Sequence, residues 1–180
     1  FEGATRNLNV WLETLTTMTT AQTTAIGLQL NSGASVTTTQ GALETSNKHF
    51  PLIARTGLVF RARMNVKGAT NCFEEWGFGA PTDAVTAVIQ TGAFFRRDGA
   101  GSLQPILAFA GTEGAGATMT APATTDYAWY EIFLEDDRAL FQIVSVTGVL
   151  LSSQVMERGA TGGSGTGVAT RARLFNVTHI

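Results

Sequence analysis

The stretch from Tyr127 to Gln154, YAWYEIFLEDDRALFQIVSVTGVLLSSQ, constrains the fold more than any other part of the chain. Successive side chains on a β-strand point to opposite faces. Ala128, Tyr130, Ile132 and Leu134 therefore share one face, and Trp129, Glu131, Phe133 and Glu135 share the other. Asp136 and Asp137 interrupt this run with turn-forming residues. Arg138 opens a second run, in which Ala139, Phe141 and Ile143 lie across from Leu134, Ile132 and Tyr130. A tight loop at the aspartates sets Glu135 against Arg138 as a cross-strand ion pair. Thr147-Gly148 makes a second turn, and Val149 to Ser153 returns. The product is a three-stranded meander with one apolar face, which requires a second sheet to cover it.

The remaining chain has the strands to build that sheet. Leu58 to Val66 (LVFRARMNV) places Leu58, Phe60, Ala62, Met64 and Val66 on one face and Arg61, Arg63 and Asn65 on the other. Cys72 to Gly79, with a glycine-marked end suited to a bulge or close backbone approach, is another strand. Ala93 to Arg97 and Leu103 to Ala110 form a hairpin across Asp98-Gly99-Ala100-Gly101. Pro105 predicts an edge position or a bulge in its second arm. Trp11 to Thr20, Ala25 to Asn31, Val36 to Gln40 and Thr170 to Thr178 read as further strands. Gly41 to His49 reads as irregular, Thr112 to Thr118 as a loop, and Gly159 to Gly167 as a flexible segment too short to separate domains. Pro81 to Gln90 fits a short helix or a loop followed by a strand. About a dozen short strands with frequent turns is the pattern of a sandwich or barrel. The regular first and last strands are expected to pair side by side.

Composition narrows the function classes. The 180 residues suit one domain spanning 1–180, with 44% hydrophobic residues to fill a core. Charged residues make up only 14%, against the usual quarter. Either a partner covers part of the surface, or the surface is a neutral, threonine-rich one. A net charge of −2 gives no basic face for nucleic acid. Phe94-Phe95-Arg96-Arg97 is followed by Asp98 and reads as a strand end. The single cysteine, Cys72, leaves no intrachain disulfide. His49 and His179, the two histidines, have no nucleophile motif beside them. No apolar run is long enough for a membrane-spanning helix. A chain opening on Phe1 is expected to be a processed product or a part of something longer.

The blocks LVFRARMNV, EEWGFG, AFFRRDGAG and YAWYEIFLEDDRALFQIVSVTGVLL resemble a concanavalin/laminin-G-type jelly roll, with Thr147-Gly148-Val149-Leu150 in the place of its Gly turn and short strand. The threonine-rich N-terminal strands and the closing ARLFN are similar to sandwich domains of tailed-bacteriophage virion proteins, such as head-decoration, head-fibre or tail-associated modules. The resemblance implies an all-β, two-sheet antiparallel sandwich with little or no helix. It also implies a non-enzymatic structural or decoration component of a phage virion. Its partners would be major capsid or tail proteins and further copies of itself.

Enzymes of this fold carry alternate carboxylates on one strand, which flank a glycosidic bond. Glu131 and Glu135 share a face here, but Phe133 stands where the resemblance places an aspartate. Their Cα atoms are roughly 13 Å apart on an extended strand. The expectation is therefore no catalytic residue: Glu135 paired to Arg138, and Glu131 solvated. Lectin-like relatives bind calcium through Asp and Asn oxygens, but Asp98, Asp136 and Asp137 match no calcium loop, so neither metal nor cofactor is expected. The alternative function is carbohydrate binding, for instance to a host-surface glycan. The candidate residues are Trp129, Glu131 and Phe133, with Trp76 near them, because exposed aromatics stack on sugar faces beside polar groups.

Overall fold

A computed structural model of the protein describes residues 11–16, 19–23, 27–31, 41–46, 57–67, 72–79, 91–109, 112–135, 138–157 and 169–176. Thirteen strands lie among them: β1 (Trp11–Thr16), β2 (Thr19–Thr23), β3 (Gly27–Asn31), β4 (Gly41–Ser46), β5 (Leu58–Met64), β6 (Cys72–Gly79), β7 (Gly92–Arg97), β8 (Leu103–Phe109), β9 (Thr112–Ala115), β10 (Ala128–Leu134), β11 (Arg138–Ser145), β12 (Leu150–Glu157) and β13 (Ala169–Asn176). There is no helix among the described residues. A seven-stranded sheet runs β1-β4-β13-β6-β7-β8-β9, a four-stranded sheet runs β12-β11-β10-β5, and β2 pairs with β3 alone. Every described pairing is antiparallel. The fold is an all-β sandwich.

The core lies between the two larger sheets. From the four-stranded sheet come Ala128, Tyr130, Ile132, Leu134, Ala139, Phe141 and Ile143, the face that the alternation predicts. The register is also as expected, with Leu134 opposite Ala139, Ile132 opposite Phe141 and Tyr130 opposite Ile143. From the seven-stranded sheet come Trp76, Phe78, Ala93, Phe95, Leu103 and Leu107. Phe95 stacks on Trp76 at 5.8 Å and meets Tyr130 and Phe141 edge-on at 5.4 and 5.3 Å. Each such ring contributes about 1.5–3 kcal/mol by burial, and each pair up to about 1.5 kcal/mol more.

Gly77 explains the glycine in the sixth strand. Its φ is +143°, and a Cβ there would sit 2.6 Å from the Ala93 carbonyl oxygen and 2.7 Å from Ile132. The two sheets approach closely at this point, as the expected close backbone approach requires.

Five expectations are corrected. Trp11–Thr20 is two strands, because the chain leaves β1 at Thr16 and starts β2 at Thr19. Gly41–Ser46 is a strand despite its polar sequence, held between β1 and β13 on both edges. The first and last strands accordingly do not pair; β4 separates them. Thr112–Ala115 is an edge strand on β8 rather than loop. β8 is itself an inner strand, so Pro105 is neither at the sheet edge nor in a bulge. Its carbonyl accepts from Gly116 N–H at 2.9 Å, just past the end of β9. The missing proline N–H therefore falls where the ladder has already ended. Val36–Gln40, Pro81–Gln90, Asp136, Asp137, Gly159–Gly167, His49 and His179 lie outside the described residues.

Candidate functional site

The outer face of the four-stranded sheet can be read as rows across the strands. One row is Val59, Phe133, Leu140 and Val155, in cross-strand register. It is apolar, and Val59 (60% exposed), Phe133 (37%) and Val155 (55%) face water. The next row is Arg61, Glu131, Gln142 and Ser153. Beyond it, Arg63 lies opposite Trp129, which lies opposite Val144.

Trp129, Glu131 and Phe133 thus share a face, but the structure divides them. Glu131 is not solvated: Arg61 Nε lies 2.7 Å from Glu131 Oε1, and the Glu131 side chain is largely covered. The same guanidinium sits 4.3 Å from the centre of the Trp129 ring. Phe133 belongs to the apolar row instead. Trp76 is not near this face; it is buried in the core, edge-on to Tyr130 at 5.0 Å. Its position in the alternation of β6 turns it inward, and sequence alone does not show which way a strand faces within the sheet. Glu135 pairs with Arg138 at 2.6 Å as predicted. Each of the two glutamates is therefore tied to an arginine. Among the described residues no three His, Cys, Asp or Glu side chains converge. Asp98 shapes a turn, its Oδ1 accepting from Ala100 and Ser102 N–H at 3.0 and 2.8 Å.

An open cleft of about 590 Å³ lies at the end of this sheet remote from the β10–β11 turn. Its walls come from three distant parts of the chain: Arg63 on β5, the 120–127 segment, and the turn from Ser145 to Thr147, with Leu151 beside it. Tyr127 stands in it, 38% exposed, with the Arg63 guanidinium 5.0 Å from its ring centre. Thr120, Thr125, Asp126 and Thr147 supply hydroxyl and carboxylate oxygens to the lining. The turns are internally fixed. Asp126 N–H donates to Ala123 O at 2.8 Å and the Thr125 hydroxyl to Asp126 Oδ1 at 3.1 Å. Ser145 Oγ bonds Thr147 Oγ1 at 2.8 Å and accepts from Val149 N–H at 3.0 Å. The Arg63 guanidinium makes no ion pair among the described residues, in contrast to Arg61. Sequence reasoning passes over this cleft because its parts meet only through the β5–β10 pairing. The one local signal is the cluster of threonines, Pro122 and Asp126 directly before Tyr127.

The outer face of the seven-stranded sheet is different. Phe94, Ile106 and Ala108 form a second buried cluster there. Arg96 joins two carboxylates, Glu75 at 2.6 Å and Glu113 at 2.7 Å, and the Glu75 side chain is 0% exposed. Burial alone pulls the Arg96 guanidinium down, but Glu75 and then Glu113 outweigh it and hold it above its ordinary value.

No protein-family model matches the chain, and no curated sequence does. Solved structures do. The Emp46p carbohydrate recognition domain aligns with a TM-score of 0.54 at 8% identity, over 94% of this chain and 82% of that one. Lectin UEA-II, solved with galactose, aligns with 0.52 at 8% identity, over 98% and 89%. The enzymatically active domain of tailspike protein 2 from bacteriophage CBA120 aligns with 0.51 at 12% identity; it covers 95% of this chain, which spans 26% of that domain. At these identities the likeness is one of fold. The fold is that of a concanavalin/legume-lectin-like jelly roll.

Proposed function

We propose that the chain, as one sandwich domain over residues 1–180, is a non-enzymatic carbohydrate-binding module of a tailed-phage particle that holds a host-surface glycan. The observation that carries this reading is the cleft beside Tyr127. It combines an exposed aromatic ring with hydroxyl and carboxylate oxygens on one open concave surface. Lectin folds and a phage tailspike domain among the similar structures support it. Trp129 and Glu131 border this site through Arg61 and the adjoining row, rather than forming its floor. The pairing of both glutamates with arginines supports a binding role over a hydrolytic one. A glycan array with the wild-type domain and Tyr127→Ala tests the reading. Binding of a defined glycan that the substitution abolishes supports it; a blank array, or binding that Tyr127→Ala leaves intact, contradicts it.

The sequence puts a structural, decoration-type role first, and the apolar row of Val59, Phe133, Leu140 and Val155 keeps it as a second reading. The occupant this reading commits to is a second copy of the chain, within a virion. The charges next to this row are neutralised in place by Arg61–Glu131 and Arg138–Glu135, so this part of the face carries little charge to repel a copy. Four strands of seven or eight residues span about 500 Å², below the roughly 800 Å² per partner of a standard interface. The contact would be weak singly and effective when repeated on a symmetric particle. Sedimentation equilibrium separates the readings: association that Phe133→Ser removes supports this one, and a monomer at all concentrations removes it.

A further inference from the structure

Two arginines project from the same face of β5, and both rest on aromatic rings: Arg61 on Trp129 and Arg63 on Tyr127. Only Arg61 has a carboxylate partner, Glu131 at 2.7 Å. Arg63 stands in the wall of the cleft with no ion pair among the described residues. A guanidinium offers a planar fork of donors that matches a carboxylate or phosphate in two parallel hydrogen bonds. Its stacking on Tyr127 restricts it while leaving its donor edges for a ligand. Asp126 lies in the same lining, with one oxygen held by the Thr125 hydroxyl. The cleft is therefore bipolar, with a cation to accept an anionic group and a carboxylate to accept hydroxyl or amide donors. The tyrosine ring in the same lining supplies an apolar surface.

We infer that the cleft selects an acidic sugar: its anionic group on Arg63, its hydroxyls on Asp126 and the threonines, and its ring face against Tyr127. The inference rests on the carbohydrate-binding reading above and narrows it from sugars in general to anionic ones. A neutral hexose would offer the Arg63 fork only hydroxyl oxygens and no charge-assisted pair, so the arrangement favours a uronic acid, a sialic acid or a phosphorylated sugar. These share one chemistry, and the probes below separate the sources of charge.

The experiment is an NMR titration of the 180-residue chain, following its backbone amides and the Tyr127 ring, with galacturonic acid, N-acetylneuraminic acid, glucose 6-phosphate and neutral galactose. At least one acidic probe is expected to bind about tenfold or more tighter than galactose, as loss of one charge-assisted contact implies. Arg63→Gln is expected to erase that preference, and Arg63→Lys to restore part of it. Arg63 is exposed on an edge strand, and unchanged melting of both variants checks that the fold is intact. Preference for glucose 6-phosphate over both carboxylates also supports the inference and makes phosphate the source of charge. Equal binding of galactose and the acidic sugars, unaltered by Arg63→Gln, overturns it while leaving the carbohydrate reading in place. Acidic preference that survives Arg63→Gln overturns the assignment to this cleft. No binding by any probe overturns it, and a blank on a broad glycan array as well takes the carbohydrate reading with it.

Discussion

The two sheets of the sandwich treat their outer faces in opposite ways. Across β6 to β9 the seven-stranded sheet closes its outer face chemically: Phe94, Ile106 and Ala108 are buried, and Arg96 joins Glu75 and Glu113. The four-stranded sheet leaves its outer face open, with Val59, Phe133 and Val155 in water and Arg61 57% exposed in its ion pair. Buried charge is tolerated only when paired and hydrogen-bonded, so the first face is committed to the fold. An open face with exposed rings and a cleft at its end has surface left for a ligand or neighbour. The difference directs the search for function to the smaller sheet.

The largest effect should come from breaking the closed face. Arg96→Met leaves the buried Glu75 carboxylate without its arginine and is expected to cost about 3–5 kcal/mol in denaturant unfolding. Arg61→Met on the open face should cost less, about 1 kcal/mol, since the arginine end of its ion pair is exposed and water can take its place beside Glu131. Equal costs would erase the distinction between the faces. Gly77→Ala comes next, at about 1–3 kcal/mol by the same measurement, because the added methyl meets the Ala93 carbonyl and the backbone φ disfavours it.

A smaller effect tests the layer between the sheets. Burial first, and the nearby Glu74 second, raise the Tyr130 phenol above its ordinary value, while Arg97 opposes them. The unfolded phenol ionises near pH ~10. The neutral form held by the fold therefore contributes stability that is present below that pH and lost as pH rises above it. Melting temperatures measured upward from about pH 9 should fall more steeply for the wild type than for Tyr130→Phe. Parallel curves would show that Tyr130 does not titrate with unfolding. The smallest stability change belongs to the open face: Phe133→Ser should alter unfolding by about 0.5 kcal/mol or less. A loss several times larger would mean that the apolar row supports the fold of the single chain.

The β10–β11 hairpin is legible in the sequence because one face is buried and the other is not, so polarity alternates with the pleat. Even its register and the Glu135–Arg138 pair follow from the turn. β4 and β9 are not legible, because GALETS and TEGA become strands through their neighbours rather than their own pattern. The site is half legible. Alternation puts Trp129, Glu131 and Phe133 on one face, but it cannot show that β5 lies beside β10 and supplies Arg61 and Arg63. That pairing joins strands far apart in the chain, and it both neutralises Glu131 and builds the cleft at Tyr127.

The most direct test of a glycan site at the end of the smaller sheet is a structure of the domain soaked with the best binder from a glycan array. The sugar is expected in the cleft, in contact with Tyr127 and Arg63, with Thr120 or Asp126 bonded to its hydroxyls. A sugar seated on the outer face of the seven-stranded sheet, or on the Phe133 row, would contradict the account.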